Sequence, residues 1–194
     1  AGATTAGVME LIAQLRAQSQ IPLVLFTYLN PVYAYGFDAF HRDAAAAGAD
    51  GVLLLDLPPD EDGLNAELSA SDALRRIRLI APTTPPERMR TIAAASEGFI
   101  YYISREGVTG AQQTLATNIG SQVAEIKGGG SATPVCVGFG ISTPEQARAV
   151  AEAADGVVVG SAIVRIVEQF GNSPELEARL TAFVKPLVDA VKAV

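Results

Sequence analysis

The feature of this sequence that most limits its fold is the regular alternation of short apolar runs with helical stretches. The apolar runs are continuous rather than interrupted at every second residue, so each strand is expected to be buried on both faces, as in a parallel sheet covered by helices. Six runs have this character: Ile21–Thr27, Gly51–Leu55, Ile77–Ala81, Phe99–Ile103, Pro134–Val137 and Gly156–Val159. The pattern predicts an α/β fold of six βα units.

Helices are predicted before the first run and after each of the six runs. The stretches are 6–18, Phe37–Ala47, 61–70, a helix starting at Thr84, 115–127, a helix ending at Ala153, Ser161–Phe170 and Pro174–Ala193. Thr84 and Thr143 each precede a proline and are followed three residues later by Glu87 or Gln146, which is a capping-box pattern. We expect both threonines to be N-caps.

Two architectures use repeated βα units, the open doubly wound sheet and the closed (β/α)₈ barrel. The dinucleotide motif GxGxxG of the first is absent, since Gly138-Phe-Gly140 comes late and has no third glycine. A barrel has eight strands and typically about 250 residues. We therefore expect residues 1–194 to form a single TIM-barrel domain that is partial, with strands three to eight present and strands one and two upstream.

Composition excludes several classes of function. The net charge is −7, which disfavours nucleic acid and anionic membrane surfaces as partners. There is no apolar run long enough to span a membrane. One cysteine and one histidine form no metal-ligand cluster and no disulfide framework. A small anion remains compatible with an acidic chain, because backbone N–H groups at a helix N-terminus can hold it.

Glycines and polar residues follow the predicted strands, where the active sites of barrels lie. The final two strands are followed by Gly140 and by Gly160-Ser161, and a barrel's phosphate site is commonly built by these two loops. We interpret the two motifs as a phosphate site; the alternative is that the glycines only turn the chain. The polar loop Ser104–Gln113 is either a lid or an ordinary surface loop.

Four single residues have less specific interpretations. Asp56 and Asn30 follow strands and are each either a ligand contact or a turn residue. His41 is predicted to be a solvated helix residue with no catalytic role. Cys136 lies in the middle of a strand and is predicted to be a buried, inert thiol.

The ordered segments LFTYLNP, GVLLLDLPPDE, APTTPPER, GFIYYISREGVTGA, VGFGIS and GSAIV resemble the α subunit of tryptophan synthase along the full 194 residues. The resemblance implies a (β/α)₈ lyase of tryptophan biosynthesis that cleaves indole-3-glycerol phosphate to indole and glyceraldehyde 3-phosphate. It also implies a heterotetramer with a β subunit that receives the indole. Pyridoxal phosphate belongs to that β subunit, and the α subunit has no cofactor of its own.

The resemblance assigns roles to residues of this chain. It implies that main-chain amides hold the phosphate and that aromatic residues line the indole pocket, with the closing loop nearby. The implied phosphate-binding residues are Gly110, Gly140, Gly160 and Ser161, and the implied substrate-binding residues are Phe26, Asp56, Tyr101, Thr109 and Phe139. Asn30 is implied at the mouth beside Asp56, and the loops Asn30–Tyr35 and Pro58–Pro59 are implied to face the β subunit.

The family's acid and base are a Glu at the end of strand two and an Asp in the following loop, and both are expected upstream of Ala1. We therefore assign no catalytic residue in this chain and expect the 194-residue polypeptide to be inactive alone. Other phosphate-binding barrels, such as indole-glycerol-phosphate synthase or thiamine-phosphate synthase, share the GS ending but not the YYISREGVTG loop. A non-catalytic phosphate-binding scaffold is the remaining alternative. We expect a cytoplasmic location, or a plastid one if a transit peptide precedes this sequence.

Overall fold

The computed structural model describes residues 2–61, 74–104, 112–128, 130–138 and 140–194. Strands and helices alternate along most of this length. The strands are β1 (Val24–Thr27), β2 (Gly51–Leu54), β3 (Arg75–Ile80), β4 (Ile100–Ile103), β5 (Val135–Gly138) and β6 (Gly156–Val158). The helices are α1 (Thr5–Arg16), α2 (Leu29–Tyr35), α3 (Phe37–Ala47), α4 (Pro86–Ala94), α5 (Gln112–Lys127), α6 (Pro144–Ala151), α7 (Ser161–Phe170) and α8 (Leu176–Lys192). None of these helices is both long and apolar enough to cross a membrane.

All six predicted strands are confirmed, whereas one helix is missing from the prediction and one predicted N-cap is wrong. The segment after β1 forms α2, which the dipeptide Asn30-Pro31 concealed because it is typical of turns; Pro31 lies in the first turn, where a helix does not need its N–H. Thr84 is not an N-cap, because α4 begins at Pro86 and the Thr84 hydroxyl accepts the N–H of Ala81. The predicted helix 61–70 lies outside the described residues.

The chain divides into two compact units. The first comprises the described residues up to Leu79 together with Ala94–Gly98. Its strands β1, β2 and β3 pair in parallel, with Val24 opposite Gly51 and Gly51 opposite Arg75. Helices α1, α2 and α3 cover one face of these strands through a core made of Met9, Ile12, Val32, Phe40, Ala44, Ala49, Val52 and Leu74.

The second unit comprises Ile80–Ala93 and the described residues from Phe99 onward. Its strands β4, β5 and β6 are also parallel, with Ile100 opposite Val135 and Cys136 opposite Gly156. Tyr102 and Val137 face a core shared with α5 and α6, and the intervening side chains face the other side because side chains alternate along a strand. The prediction of one domain over residues 1–194 stays a prediction.

An acidic residue precedes each of β2, β4 and β6, and its carboxylate accepts a backbone N–H that lies in or just before an earlier strand. Asp50 precedes β2 and accepts the N–H of Leu23, just before β1, at 2.7 Å. Glu97 precedes β4 and accepts the N–H of Arg76 in β3 at 3.1 Å. Asp155 precedes β6 and accepts the N–H of Val135 in β5 at 2.7 Å. We call these three residues the carboxylate clips.

Each carboxylate clip also binds a cation. Asp50 accepts from Arg16, Glu97 from Arg76 at 2.8 Å, and Asp155 from Lys127 at 2.7 Å. The Arg76 guanidinium lowers the pKa of Glu97. Partial burial works to raise the pKa of Asp155, but the bonds from Lys127 and from the Val135 amide outweigh it, so that this pKa is also lowered.

Arg16 bonds to several segments of the first unit. Its guanidinium donates to the carbonyl of Gly48 through two nitrogens, at 2.9 and 2.7 Å, and also to the carbonyls of Ser19 and Ile21 and to Asp50. The side chain thus ties the end of α1 to the end of α3 and to the approach to β1. A lysine has one ammonium group and lacks this planar fork.

We predict that Arg16→Lys lowers the free energy of unfolding by about 1–2 kcal/mol, since several carbonyls lose a charged donor. Urea unfolding followed by circular dichroism measures the change. The matched control is Arg148→Lys, because among the described residues Arg148 bonds to Glu152 across one exposed helical turn, where about 0.5 kcal/mol or less is expected. Equal effects of the two substitutions would contradict the role assigned to Arg16.

Candidate functional site

Two glycine-containing turns lie together at one end of β5 and β6. These strands are parallel neighbours, and Gly138 is opposite Val158, so the turns that follow them leave the same edge. Gly140 has a φ of 71°, which favours glycine, and is exposed. A Cβ atom on Gly160 would meet nothing within 4 Å. The structure therefore brings Gly140, Gly160 and Ser161 to a single rim.

The two helices that start at this rim differ in how their N-termini are satisfied. At α6 the Thr143 hydroxyl accepts the N–H of Gln146, and the Gln146 side chain accepts the amides of Ser142 and Thr143 at 2.9 and 3.1 Å. This confirms the predicted capping box at Thr143. The amides there are consequently occupied by the protein itself.

The N-cap residue of α7 is Gly160, which has no side chain that could cap the helix. Ile163 is the third residue of α7, and its N–H already bonds back to the carbonyl of Gly160 at 2.9 Å. The two preceding amides, of Ser161 and Ala162, have no acceptor within the helix. Because the helix dipole places partial positive charge at the same point, α7 rather than α6 can hold an anion.

The face of β4 and β5 opposite to that of Tyr102 and Val137 carries Tyr101 beside Gly138. A Cβ atom on Gly138 would lie 3.0 Å from the ring of Tyr101 and 2.9 Å from the carbonyl oxygen of Val158. The missing side chain therefore makes the space that the Tyr101 ring uses. Burial raises the pKa of Tyr101, so its hydroxyl stays protonated at neutral pH.

Cys136 lies on the same face, one strand from Tyr101, and is opposite Tyr101 in the strand register. It is half-buried rather than buried, and its Sγ occupies the space beside Gly156, where a Cβ atom would come within 2.7 Å. Burial, followed by the charge of Asp155, raises the pKa of this thiol. The thiol is therefore protonated at neutral pH and, as predicted, a poor nucleophile.

The implied site residues of the first unit lie in β1 (the pocket residue Phe26) and after β1 and β2 (the mouth residues Asn30 and Asp56). Phe26 is 60% exposed, and Asn30 is exposed within α2. Asp56 is exposed, and its Oδ1 accepts the N–H of Leu29 at 2.7 Å, which fixes the start of α2. The sequence is compatible with Asp56 as a ligand contact or as a turn residue, and only the structure shows that its carboxylate bonds to a separate segment, the start of α2.

Three of the implied site residues cannot be located: Thr109, Gly110 and Phe139 lie outside the described residues. The prediction that His41 is solvated is wrong, because only 3% of it is exposed. A sequence signal existed: His41 is four residues after Phe37 and three before Ala44, on the buried stripe of α3. Within the described ranges, no three His, Cys, Asp or Glu residues come close enough to hold a metal.

Comparison with known proteins gives a consistent result. A family model described as tryptophan synthase alpha chain matches residues 1–192. The tryptophan synthase alpha chain of Opitutus terrae is 47% identical over 192 residues, covering 98% of this chain and 72% of that protein. That of Geobacter sulfurreducens is 44% identical over 191 residues, with coverages of 98% and 72%.

Solved structures give the same likeness in three dimensions. The tryptophan synthase alpha subunit of Legionella pneumophila has a TM-score of 0.83 and 36% identity, covering 98% of this chain and 70% of that one. A structure of the α2β2 complex of tryptophan synthase from Pyrococcus furiosus has a TM-score of 0.85 and 33% identity, with coverages of 97% and 75%.

We predict that Gly138→Ala lowers the free energy of unfolding by about 1–3 kcal/mol, because the new methyl group collides with a strand carbonyl that cannot yield easily. Thermal or urea unfolding measures the change. The control is Gly120→Ala in α5, where the nearest atom is 3.9 Å from the new Cβ and alanine is favoured by up to about 1 kcal/mol. A neutral Gly138→Ala would show that the close contacts are readily relieved.

Proposed function

Because this chain belongs to the tryptophan synthase alpha chain family, we propose that it contributes the substrate-binding part of a lyase that cleaves indole-3-glycerol phosphate to indole and glyceraldehyde 3-phosphate. The observation that carries the proposal is the match of the family model to residues 1–192. An α subunit of this family has no cofactor of its own, since pyridoxal phosphate is bound by the β subunit. No observation favours a non-catalytic scaffold or another phosphate-binding barrel.

The phosphate group of the substrate is proposed to bind at the rim formed by Gly140, Gly160 and Ser161. Support comes from the uncapped N-terminus of α7, the open space beside Gly160 and the exposed turn at Gly140. An anion held there is neutralised by main-chain amides and the helix dipole, which explains how an acidic chain can take an anionic substrate. Gly110 completes the proposed set by resemblance.

The indole ring is proposed to contact Tyr101, with Phe26, Phe139, Thr109 and Asp56 as further substrate-binding residues by resemblance. The half-buried Tyr101 supports this role, because its ring offers an apolar face and its protonated hydroxyl can donate a hydrogen bond. Asp56 is proposed to act at the mouth while its Oδ1 continues to hold the first amide of α2.

The partner is proposed to be a tryptophan synthase β subunit in a heterotetramer. The support is the structural likeness to the α2β2 complex of the Pyrococcus furiosus enzyme. Exposed aromatic side chains of Tyr28 and Tyr33, at 58% and 51%, lie next to or within the segment Asn30–Tyr35 that the resemblance assigns to this contact. Aromatic residues are enriched in the cores of protein interfaces.

The cleavage breaks a carbon–carbon bond between indole and the glycerol phosphate chain. It requires a proton for the indole carbon, removal of a proton from the adjacent glycerol hydroxyl, and stabilisation of the ring nitrogen as it becomes cationic. The resemblance assigns these steps to a Glu and an Asp that match no position of the printed sequence. We therefore propose that the printed residues bind the substrate without cleaving it.

We predict that Ser161→Asp weakens the binding of glycerol 3-phosphate by at least about tenfold, because two anions would share the N-terminus of α7. Ser161→Ala should change the dissociation constant by less than about threefold, since main-chain amides remain. Isothermal titration calorimetry measures both. Ser173→Asp adds the same charge before α8 and serves as the control; equal losses from the two aspartate substitutions would contradict this location for the phosphate.

The proposed separation of binding from catalysis is tested by assaying the 194-residue polypeptide for indole release. We expect no turnover above the uncatalysed rate, together with measurable binding of glycerol 3-phosphate. A control reaction contains a tryptophan synthase alpha subunit such as that of Opitutus terrae. Turnover comparable to the control would overturn the proposal that the acid and base lie outside the printed residues.

A further inference from the structure

His41 is an ionisable side chain buried in an apolar cage. Only 3% of the residue is exposed, and it lies in the middle of α3. The ring of Phe37 is 4.8 Å from the imidazole centroid, and the ring of Phe40 is 5.4 Å from it in an edge-on arrangement. Neither ring can accept a conventional hydrogen bond from a charged imidazolium.

The surroundings of the His41 ring favour its neutral form. Nδ1 lies 2.8 Å from the carbonyl oxygen of Phe37, so Nδ1 carries the proton and donates it. Nε2 is fully buried and has no hydrogen-bond partner among the described residues. A proton added to Nε2 would therefore create a buried charge and a buried donor without an acceptor among those residues.

The cage also holds α2 in place. Gly36 joins α2 to α3 with a φ of 99°, a conformation that few other residues adopt. Tyr35 packs its ring against Phe40 at 6.5 Å and donates its hydroxyl to Asp43 at 2.9 Å. Val32 of α2 is completely buried in the same core. Any loosening of α3 around His41 thus removes the support of α2.

Few charged groups near His41 influence the protonation of its ring. On α3 itself, Asp38 is the group whose charge acts on His41, while Asp43 is engaged by Arg42 and Tyr35. Helix α1 packs on α3 and carries Glu10, which is exposed, and Arg16, which is bound to Gly48 and Asp50. The titratable side chains of α2 are Tyr33 and Tyr35. Burial dominates and lowers the pKa of His41, against weaker opposing effects of the Phe37 carbonyl and Asp38.

We propose that His41 is an acid-sensitive latch: when its Nε2 takes up a proton, the first turns of α3 loosen and α2 is released about Gly36. The latch is closed when the ring is neutral and opens as the pH falls. Because α2 carries Asn30, opening alters a segment that the resemblance places at the mouth of the site. The inference does not rest on the proposed lyase activity.

The pH dependence of the open state follows from the difference between the pKa values of His41 in the two states. In the open state His41 has an ordinary pKa near 6.5, whereas in the closed state its pKa is lower. The open state therefore binds one more proton in the interval between the two values, and its population rises by up to about tenfold per pH unit as the pH falls. His41 is the only histidine of the chain, so no other side chain ordinarily titrates in this range.

Hydrogen–deuterium exchange of the 194-residue protein tests the proposal. After correction for intrinsic exchange rates, we expect the amides of α2 and α3 to open at least about fivefold more at pH 5.5 than at pH 7.5. Amides of α6, in the second unit, provide the internal control and should change little. His41→Leu should abolish the difference between the two pH values.

A second variant weakens the attachment of α2 without changing His41. Asp43→Asn weakens the bond that holds Tyr35, so it should raise exchange in α2 by the same factor at both pH values. If His41→Leu does not fold, an NMR titration of the His41 ring in the unsubstituted protein decides: a pKa at or above 6.5 overturns the proposal. Unchanged exchange at pH 5.5, or a pH response that persists in a folded His41→Leu, also overturns it.

Discussion

The constraint on which the rest of this structure depends is the satisfaction of backbone amides where the strand pairs begin. Backbone N–H groups at the start of a strand need acceptors. Each carboxylate clip accepts one such N–H, which lies in or just before the preceding strand. Asp50, Glu97 and Asp155 do so with the help of Arg16, Arg76 and Lys127. The same device recurs in both compact units, although the cations come from different elements.

The two ends of the strands differ in their side chains and in their roles. Charged, paired side chains fix the end where the strands begin, and the end where β5 and β6 finish is left to glycine and main-chain amides. A rim of this kind can approach a ligand closely because few side chains intervene. The contrast between the capped α6 and the uncapped α7 then selects which helix is free to hold an anion.

The sequence predicts an element correctly where a single physical rule decides its structure. The six apolar runs overlap the six strands, although β1 is not covered on both faces, because Phe26 is 60% exposed. Thr143 with Gln146 forms a capping box because the spacing alone satisfies two amides. The prediction fails where two rules compete. Asn30-Pro31 is typical of a turn and also permits a helix start, and Thr84 resembles an N-cap but serves the turn at Ala81 instead.

The sequence by itself determined the βα order, the family to which the chain belongs and the glycines at the ends of the last two strands, because these are local patterns of residue type and spacing. Only the tertiary structure decided that Asp56 binds the start of α2, that Gly138 makes room for Tyr101 and that His41 is enclosed by aromatic rings. Each of these depends on a neighbour in space that spacing along the chain does not identify. Burial and hydrogen-bond partners are set by packing between elements, and a polar residue on a helix acquires its chemistry only when that packing is known.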